Sequence, residues 1–301
     1  MDNNTDTIYK TKRFFEIDFI KGIATIFMII FHFFYLMYFM DVEKYDIDNG
    51  ILKIFSKFAH GIFILMVGVN LSVSYKKIKE KYKELYENKR AEFMNMYTGK
   101  IFKRSMYILL FGFIMTLLSY LGFGNLFIKF GIFHFIGVSL LMSLLVTPYK
   151  YNSVIITGVI IVLYVLINIT KITDILRSSC QNLPLVCFIT GLFNVKYTSL
   201  DYFPLIPYFA LITLGIFVGD SLYTNEDGTV KRKYLNKTET EKFDNVSNNY
   251  IVEKISCVGA NSFKIYFIHF ILFYFILLGY KHYVINKNLP DTNIITETLT
   301  E

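Results

Sequence analysis

The sequence predicts an all-α integral membrane protein, a polytopic bundle of about seven transmembrane helices with its N-terminus in the cytoplasm. Three observations predict it. The chain is 54% hydrophobic and 18% charged, where a soluble domain is about 25% charged. Its apolar residues gather in runs of about 20, the length that crosses a hydrocarbon core of ~30 Å. The runs are continuously apolar rather than alternating. That selects helices over barrel strands, the two ways a chain satisfies its backbone in lipid.

The runs place spans at 19–40, 56–75, 105–122, 126–147, 152–170, 203–222 and 258–280, in a single membrane domain over 1–301. The first run follows a polar start, is too long for the core of a cleavable signal and lacks a small-residue cleavage site. The connecting segments orient the bundle. Segment 76–104 carries ten basic residues against four acidic ones, and 223–257 carries six, among them Lys231, Arg232 and Lys233. Basic loops stay in the cytoplasm. Segment 41–55 holds Asp41, Glu43, Asp46 and Asp48 and is expected outside. Seven spans then put the C-terminus outside.

Residues 76–92 read as a charged helix continuing span two, with Glu80–Lys83 and Lys83–Glu87 at helical pairing distance. Residues 183–200 are apolar but short, and are expected to lie at the outer interface. The net charge of +7 is read as topology and contact with the lipid bilayer. No nucleic-acid motif is present, and no nucleic-acid partner is expected. Cys180 and Cys187 share one loop and Cys257 stands apart. A 180–187 disulfide is open if that loop faces an oxidising side; three unpaired thiols are the alternative.

Ionisable residues inside a membrane are costly and mark functional sites. Four of the five histidines fall inside predicted spans: His32, His60, His134 and His269. The topology puts all four in the midplane-to-outer half. The bland alternative for each is a ring bonded to a neighbouring carbonyl. In span one, Asp18, Lys21, Thr25, Met28 and His32 are spaced 3, 4, 3 and 4, one stripe of a helix. The stripe rises ~21 Å from an Asp/Lys pair to His32. Asp18 and Lys21 are also what an interface-marking pair would be, with the lysine snorkelling. Ser262, Tyr266 and His269 share a face of span seven, and Lys264 lies a turn or two inside the membrane. Asp201 opens span six at Asp-Tyr-Phe-Pro-Leu-Ile-Pro-Tyr, with Pro204 and Pro207 suited to a first helical turn.

Arg13 to His32, RFFEIDFIKGIATIFMIIFH, resembles the first helix of membrane acyltransferases of the acyltransferase-three type and the heparan-alpha-glucosaminide N-acetyltransferase type. Their pattern is Arg, a short gap, Asp-x-x-Arg-Gly, an apolar stretch and then a polar residue or His. Lys21 stands here where that Arg is usual, keeping the charge without the bidentate fork. FAHGIFILMVGVNLSVS, FGIFHFIGVSLL, DYFPLIPYFALITLGIFVGD and NSFKIYFIHF resemble later helices, more closely those of the heparan-glucosaminide type.

The resemblance implies transfer of an acyl group, acetyl above all, from cytoplasmic acyl-CoA to a sugar or cell-envelope acceptor on the outer side, by a multi-pass protein of the plasma membrane. It implies a catalytic histidine. His32 matches by position the His of the acyltransferase-three type. The outer-segment His of the heparan-glucosaminide type has no counterpart in 41–55, so the acting histidine stays open. The candidates are His32, His134 and His269 with Asp201. Asp18, Lys21, Lys100, Lys103, Arg104 and Lys264 are the candidates for coenzyme A, whose phosphates need cations. His60 and Tyr266 are the candidates for the acceptor. No metal is expected. Two other readings remain from the residues themselves. One is a transporter with a histidine-lined polar track, against which no two halves look alike. The other is a haem- or metal-binding redox protein, against which no Cys-x-x-Cys-His attachment motif is present.

Overall fold

A computed structural model describes residues 13–39, 42–43, 45–47, 49–149, 151–169, 184–191, 199–224 and 229–287. Their regular structure is helical, with two isolated bridges, Phe130 to Tyr202 and Thr224 to Val230. In chain order the helices are α1 (Phe15–Phe39), α2 (Gly50–Lys81), α3 (Lys83–Asn88), α4 (Arg90–Phe123), α5 (Ile132–Ser143), α6 (Asn152–Ile169), α7 (Pro184–Thr190), α8 (Leu205–Tyr223), α9 (Lys237–Val246), α10 (Tyr250–Ala260) and α11 (Ser262–Lys287).

Five helical stretches among the described residues are long and apolar enough to cross a membrane: Phe15–Phe39, Gly50–Lys81, Arg90–Leu126, Leu205–Tyr223 and Ser262–Tyr280. The other two expected spans coincide with shorter apolar helices. The run at 152–170 is α6, of 18 residues. The run at 126–147 contains α5, of only 12. Gly124, at φ +56, ends α4. A single 3₁₀ turn, Gly124–Leu126, follows, and the chain is then out of helix until Ile132. Beyond Ser143 it tightens into i→i+3 turns, Leu145 to Met142 and Val146 to Ser143. Apolar composition does not distinguish these three states, so the run reads as one span.

The chain forms two compact units. The first takes the residues up to Ile17 and Phe63–Asn249; the second takes Asp18–Ile62 and the chain from Tyr250. In the first unit α4 turns one face inward along Phe93, Tyr97, Ile101, Ser105, Ile108, Gly112, Met115 and Ser119, spaced by threes and fours as a helix stripe requires. It packs on α5, where Ser105 Oγ donates to the Gly137 carbonyl at 2.7 Å. The hydroxyls of Thr157 on α6 and Thr213 on α8 meet at 2.6 Å. Gly68 of α2 and Gly215 of α8 let two backbones touch: a Cβ on Gly68 would stand 2.9 Å from the Gly215 Cα. Small residues at crossings are how membrane helices approach closely.

The second unit is built on a still closer crossing. A Cβ on Gly259 of α10 would run into the Asp18 carbonyl oxygen and lie 2.6 Å from the Gly22 nitrogen. One on Gly22 would run into the Ile255 carbonyl. The glycine after the Asp18–Lys21 pair is therefore a packing requirement. The expected span at 258–280 begins at a break. Asn261 separates α10 from α11, and its Nδ2 donates to the Cys257 carbonyl at 2.9 Å.

Cys187, on α7, is disulfide-bonded, which corrects the alternative of three unpaired thiols. Cys180 lies outside the described residues. Cys257 is an exposed free thiol.

Candidate active site

The polar stripe of α1 faces inward. Asp18, Thr25, Met28 and His32 are all at most 9% exposed. Asp18 and Lys21 form an ion pair of 2.7 Å, with side chains 13% and 12% exposed. The lysine charge is thus met within its own helix turn. Thr25 Oγ1 donates back to the Lys21 carbonyl at 2.8 Å.

Two turns above, His32 meets His269. The Ser262–Tyr266–His269 face of α11 is buried along its length. His32 Nδ1 lies 2.9 Å from His269 Nε2, with the rings stacked at 24°. His269 Nδ1 lies 2.9 Å from the Ile265 carbonyl. A carbonyl can only accept, so His269 Nδ1 carries a hydrogen. In the uncharged pair His269 Nε2 is then an acceptor and His32 Nδ1 donates to it. His32 Nε2 keeps its lone pair. Tyr266 and Phe270 stand edge-on to the His32 ring, at 5.7 Å and 6.3 Å. His60 is half-buried, 3.4 Å from Ser56 Oγ and edge-on to Phe31 at 6.4 Å. The second unit therefore brings together His32, His269 and Tyr266, and contains His60, Asp18 and Lys21. Lys264 points away from this face and is exposed.

His134 and Asp201 belong to the first unit. The segments 126–132 and 199–203 are laced together. Leu200 N donates to the Leu126 carbonyl and Phe203 N to the Phe130 carbonyl, both at 2.9 Å. Ser199 Oγ donates to the Phe127 carbonyl at 3.0 Å. Asp201 Oδ2 accepts from Ile132 N at 3.0 Å, at the first turn of α5, where amide donors lack helical partners and a carboxylate is favoured by the helix dipole. Burial nonetheless raises the Asp201 carboxyl to about 6; the Ile132 hydrogen bond opposes that shift without cancelling it. His134, two residues on, is 5% exposed. Its ring stacks on Phe130 at 5.7 Å and meets Phe113 edge-on at 5.3 Å. Gly112 clears space for it, since a Cβ there would sit 3.1 Å from the ring. Among the described residues His134 is held by this aromatic packing, with no hydrogen bond to its ring nitrogens.

Lys100, Lys103 and Arg104 are exposed on α4, and Lys100 Nζ rests over the Tyr82 ring at 4.7 Å. The first unit gathers a different set of cations. Arg13, Lys77, Lys231, Arg232, Lys233 and Lys237 line a recess of roughly 710 Å³. Arg232 is its anchor. The guanidinium gives Nε to Glu16 Oε1 at 2.7 Å and Nη2 to Glu16 Oε2 at 2.8 Å. It also reaches Asp244 at 3.0 Å and lies over the rings of Phe14, Phe15 and Phe243. Hydrogen bonding to Glu16 raises its pKa further above the ordinary arginine value. In the sequence, Lys77 and the Lys-Arg-Lys run at 231–233 read only as orienting charge. The run of three cations is the signal available there, together with Arg13 just ahead of α1.

Among the described residues no group of three or more His, Cys, Asp or Glu side chains is arranged to hold a metal ion. A family model described as heparan-alpha-glucosaminide N-acetyltransferase, catalytic, matches residues 13–271. No curated protein matches the chain. No solved structure matches it either.

Proposed function

The chain belongs to the heparan-alpha-glucosaminide N-acetyltransferase catalytic family, and from that premise we propose that it moves an acetyl group from cytoplasmic acetyl-CoA to an amino or hydroxyl group of a sugar or envelope glycan on the outer side. The observation that carries the proposal is the His32–His269 pair, which leaves an imidazole lone pair on His32 Nε2 inside a buried face. In this reading His32 is the catalytic base. The acceptor N–H or O–H gives its proton to His32 Nε2 as its heteroatom attacks the thioester carbonyl. The tetrahedral adduct collapses, the carbon–sulfur bond breaks, and the departing thiolate takes the proton back from the imidazolium. The same lone pair would serve a covalent route in which His32 carries the acetyl group between two transfers.

His269 is a positioning residue. It holds the His32 ring and fixes its tautomer. Tyr266 and His60 stand beside the pair and are assigned to the acceptor. The disulfide at Cys187 supports an outer, oxidising location for α7, in keeping with the charge-derived topology of a plasma-membrane protein.

Sealed, oriented vesicles test this. Labelled acetyl-CoA is supplied on the cytoplasmic side to wild type and to single Ala variants of His32, His60, His134 and His269. Label on an outer-side amine or glycan, lost in His32→Ala and kept in His134→Ala, is the expected result. Loss in another variant instead moves the catalyst. Absence of thiol release with every acyl donor tried overturns the enzyme.

A further inference from the structure

The recess around Arg232 has the composition of a nucleotide-phosphate site. Lys231, Lys233 and Lys237 are exposed at its wall, and no carboxylate is ion-paired with any of them among the described residues. Arg13 and Lys77 face the same space. Arg232 is fixed by Glu16 and Asp244, so the loop that carries its two lysine neighbours is tied to the first turn of α1 rather than left to move. Pre-organised cations are what charge-assisted binding of phosphate oxygens needs. The wall also includes Phe14, Val230 and Leu235, together with Glu80 and Glu241. An apolar wall and acceptor carboxylates suit a purine, whose face is apolar and whose exocyclic amine donates.

We propose that this recess binds the phosphorylated adenosine end of the acyl donor, a nucleotide with several phosphates. The inference rests on the acetyl-CoA reading above and relocates its phosphate contacts. Lys21 is engaged by Asp18, and Lys100, Lys103, Arg104 and Lys264 stand on exposed helix faces. A phosphate on an anionic lipid headgroup offers similar chemistry to the lysines, but it brings no purine for Glu80, Glu241 and Phe14.

The test uses the triple variant Lys231→Ala/Lys233→Ala/Lys237→Ala. The three side chains are exposed, so the fold is expected to survive, checked by monodispersity in detergent and an unchanged melting curve. Adenosine 3′,5′-bisphosphate is titrated calorimetrically into wild type and variant, each in nanodiscs of neutral lipid and of neutral lipid with phosphatidylglycerol. The expected result is nucleotide binding by wild type in both discs, weakened about tenfold or more in the variant. In the transfer assay KM for acetyl-CoA rises by a similar factor while kcat holds. Equal nucleotide affinity in the two proteins overturns the site. A variant that changes only the dependence on phosphatidylglycerol also overturns it, and assigns the lysines to lipid. Wild-type KM in an active variant removes the site and leaves the acetyltransferase standing. Nucleotide binding lost in the variant, with no turnover of any acyl donor by either protein, removes the acetyltransferase and leaves the site.

Discussion

His32 and His269 face each other across 2.9 Å with their rings nearly parallel, and the Ile265 carbonyl behind His269 decides which nitrogen is bare. Removing either ring should therefore have different consequences. His32→Ala removes the proposed base and should lower kcat by about 10²–10⁴-fold. His269→Ala leaves the proposed base with a loosened ring and should cost on the order of 10²-fold. His269→Gln, whose carboxamide oxygen can accept from His32 Nδ1, should recover part of that loss. Single-turnover acetyl transfer by the three variants checks the order. Equal losses in all three would mean that the pair is structural.

The Asp18–Lys21 pair is buried and short. Breaking such a pair strands a charge and costs about 3–5 kcal/mol, whereas replacing both partners by uncharged groups is far milder. Asp18→Ala should lower the melting temperature in detergent strongly. Asp18→Asn/Lys21→Met should lie much closer to wild type. A double variant worse than the single one would contradict the assignment.

Gly259 has no room for a methyl group beside the Asp18 carbonyl and Gly22. Gly259→Ala should cost at least the ~1–3 kcal/mol typical of overpacking, since backbone rather than a flexible side chain must yield. Gly61, where a Cβ would meet nothing within 4 Å, supplies the control. Gly61→Ala should leave the melting curve in place. Comparable losses at the two positions would argue against a tight α1–α10 crossing.

Asp201 titrates near 6 because burial opposes its charge. Its raised value favours the folded state while the carboxyl is protonated. That contribution is complete below about pH 3.8 and is lost as pH rises through about 6. A shift of this size is worth up to about 3 kcal/mol. Asp201→Asn keeps an oxygen for the Ile132 amide and cannot ionise. Between about pH 4 and pH 7, a window that brackets this titration, wild type should therefore lose stability relative to Asp201→Asn. Parallel melting curves for the two proteins over that range would contradict the prediction.

Periodicity makes part of this site legible. The spacing of Asp18, Lys21, Thr25, Met28 and His32 describes a helix face that is buried, and that of Ser262, Tyr266 and His269 describes another. Neither spacing can pair His32 with His269, because register between helices far apart in sequence is set by packing. Gly22 reads in the sequence as part of a motif; only its partner Gly259 shows the contact that requires it. The cations are harder. Arg13, Lys77 and Lys231 come from separate stretches of chain, and charge read along a sequence reports loop orientation before it reports convergence. The span at 126–147 misleads because an extended stretch, a short helix and a series of turns are equally apolar.

That short helix has a consequence for solvent. Twelve residues of α5 rise about 18 Å, well short of a bilayer's ~30 Å. Extended backbone at such a depth is tolerated only where protein or water covers it. The lacing of 126–132 to 199–203 supplies the protein cover. Backbone amides and carbonyls covered by protein need no water, so this stretch can lie within an apolar run without drawing solvent in.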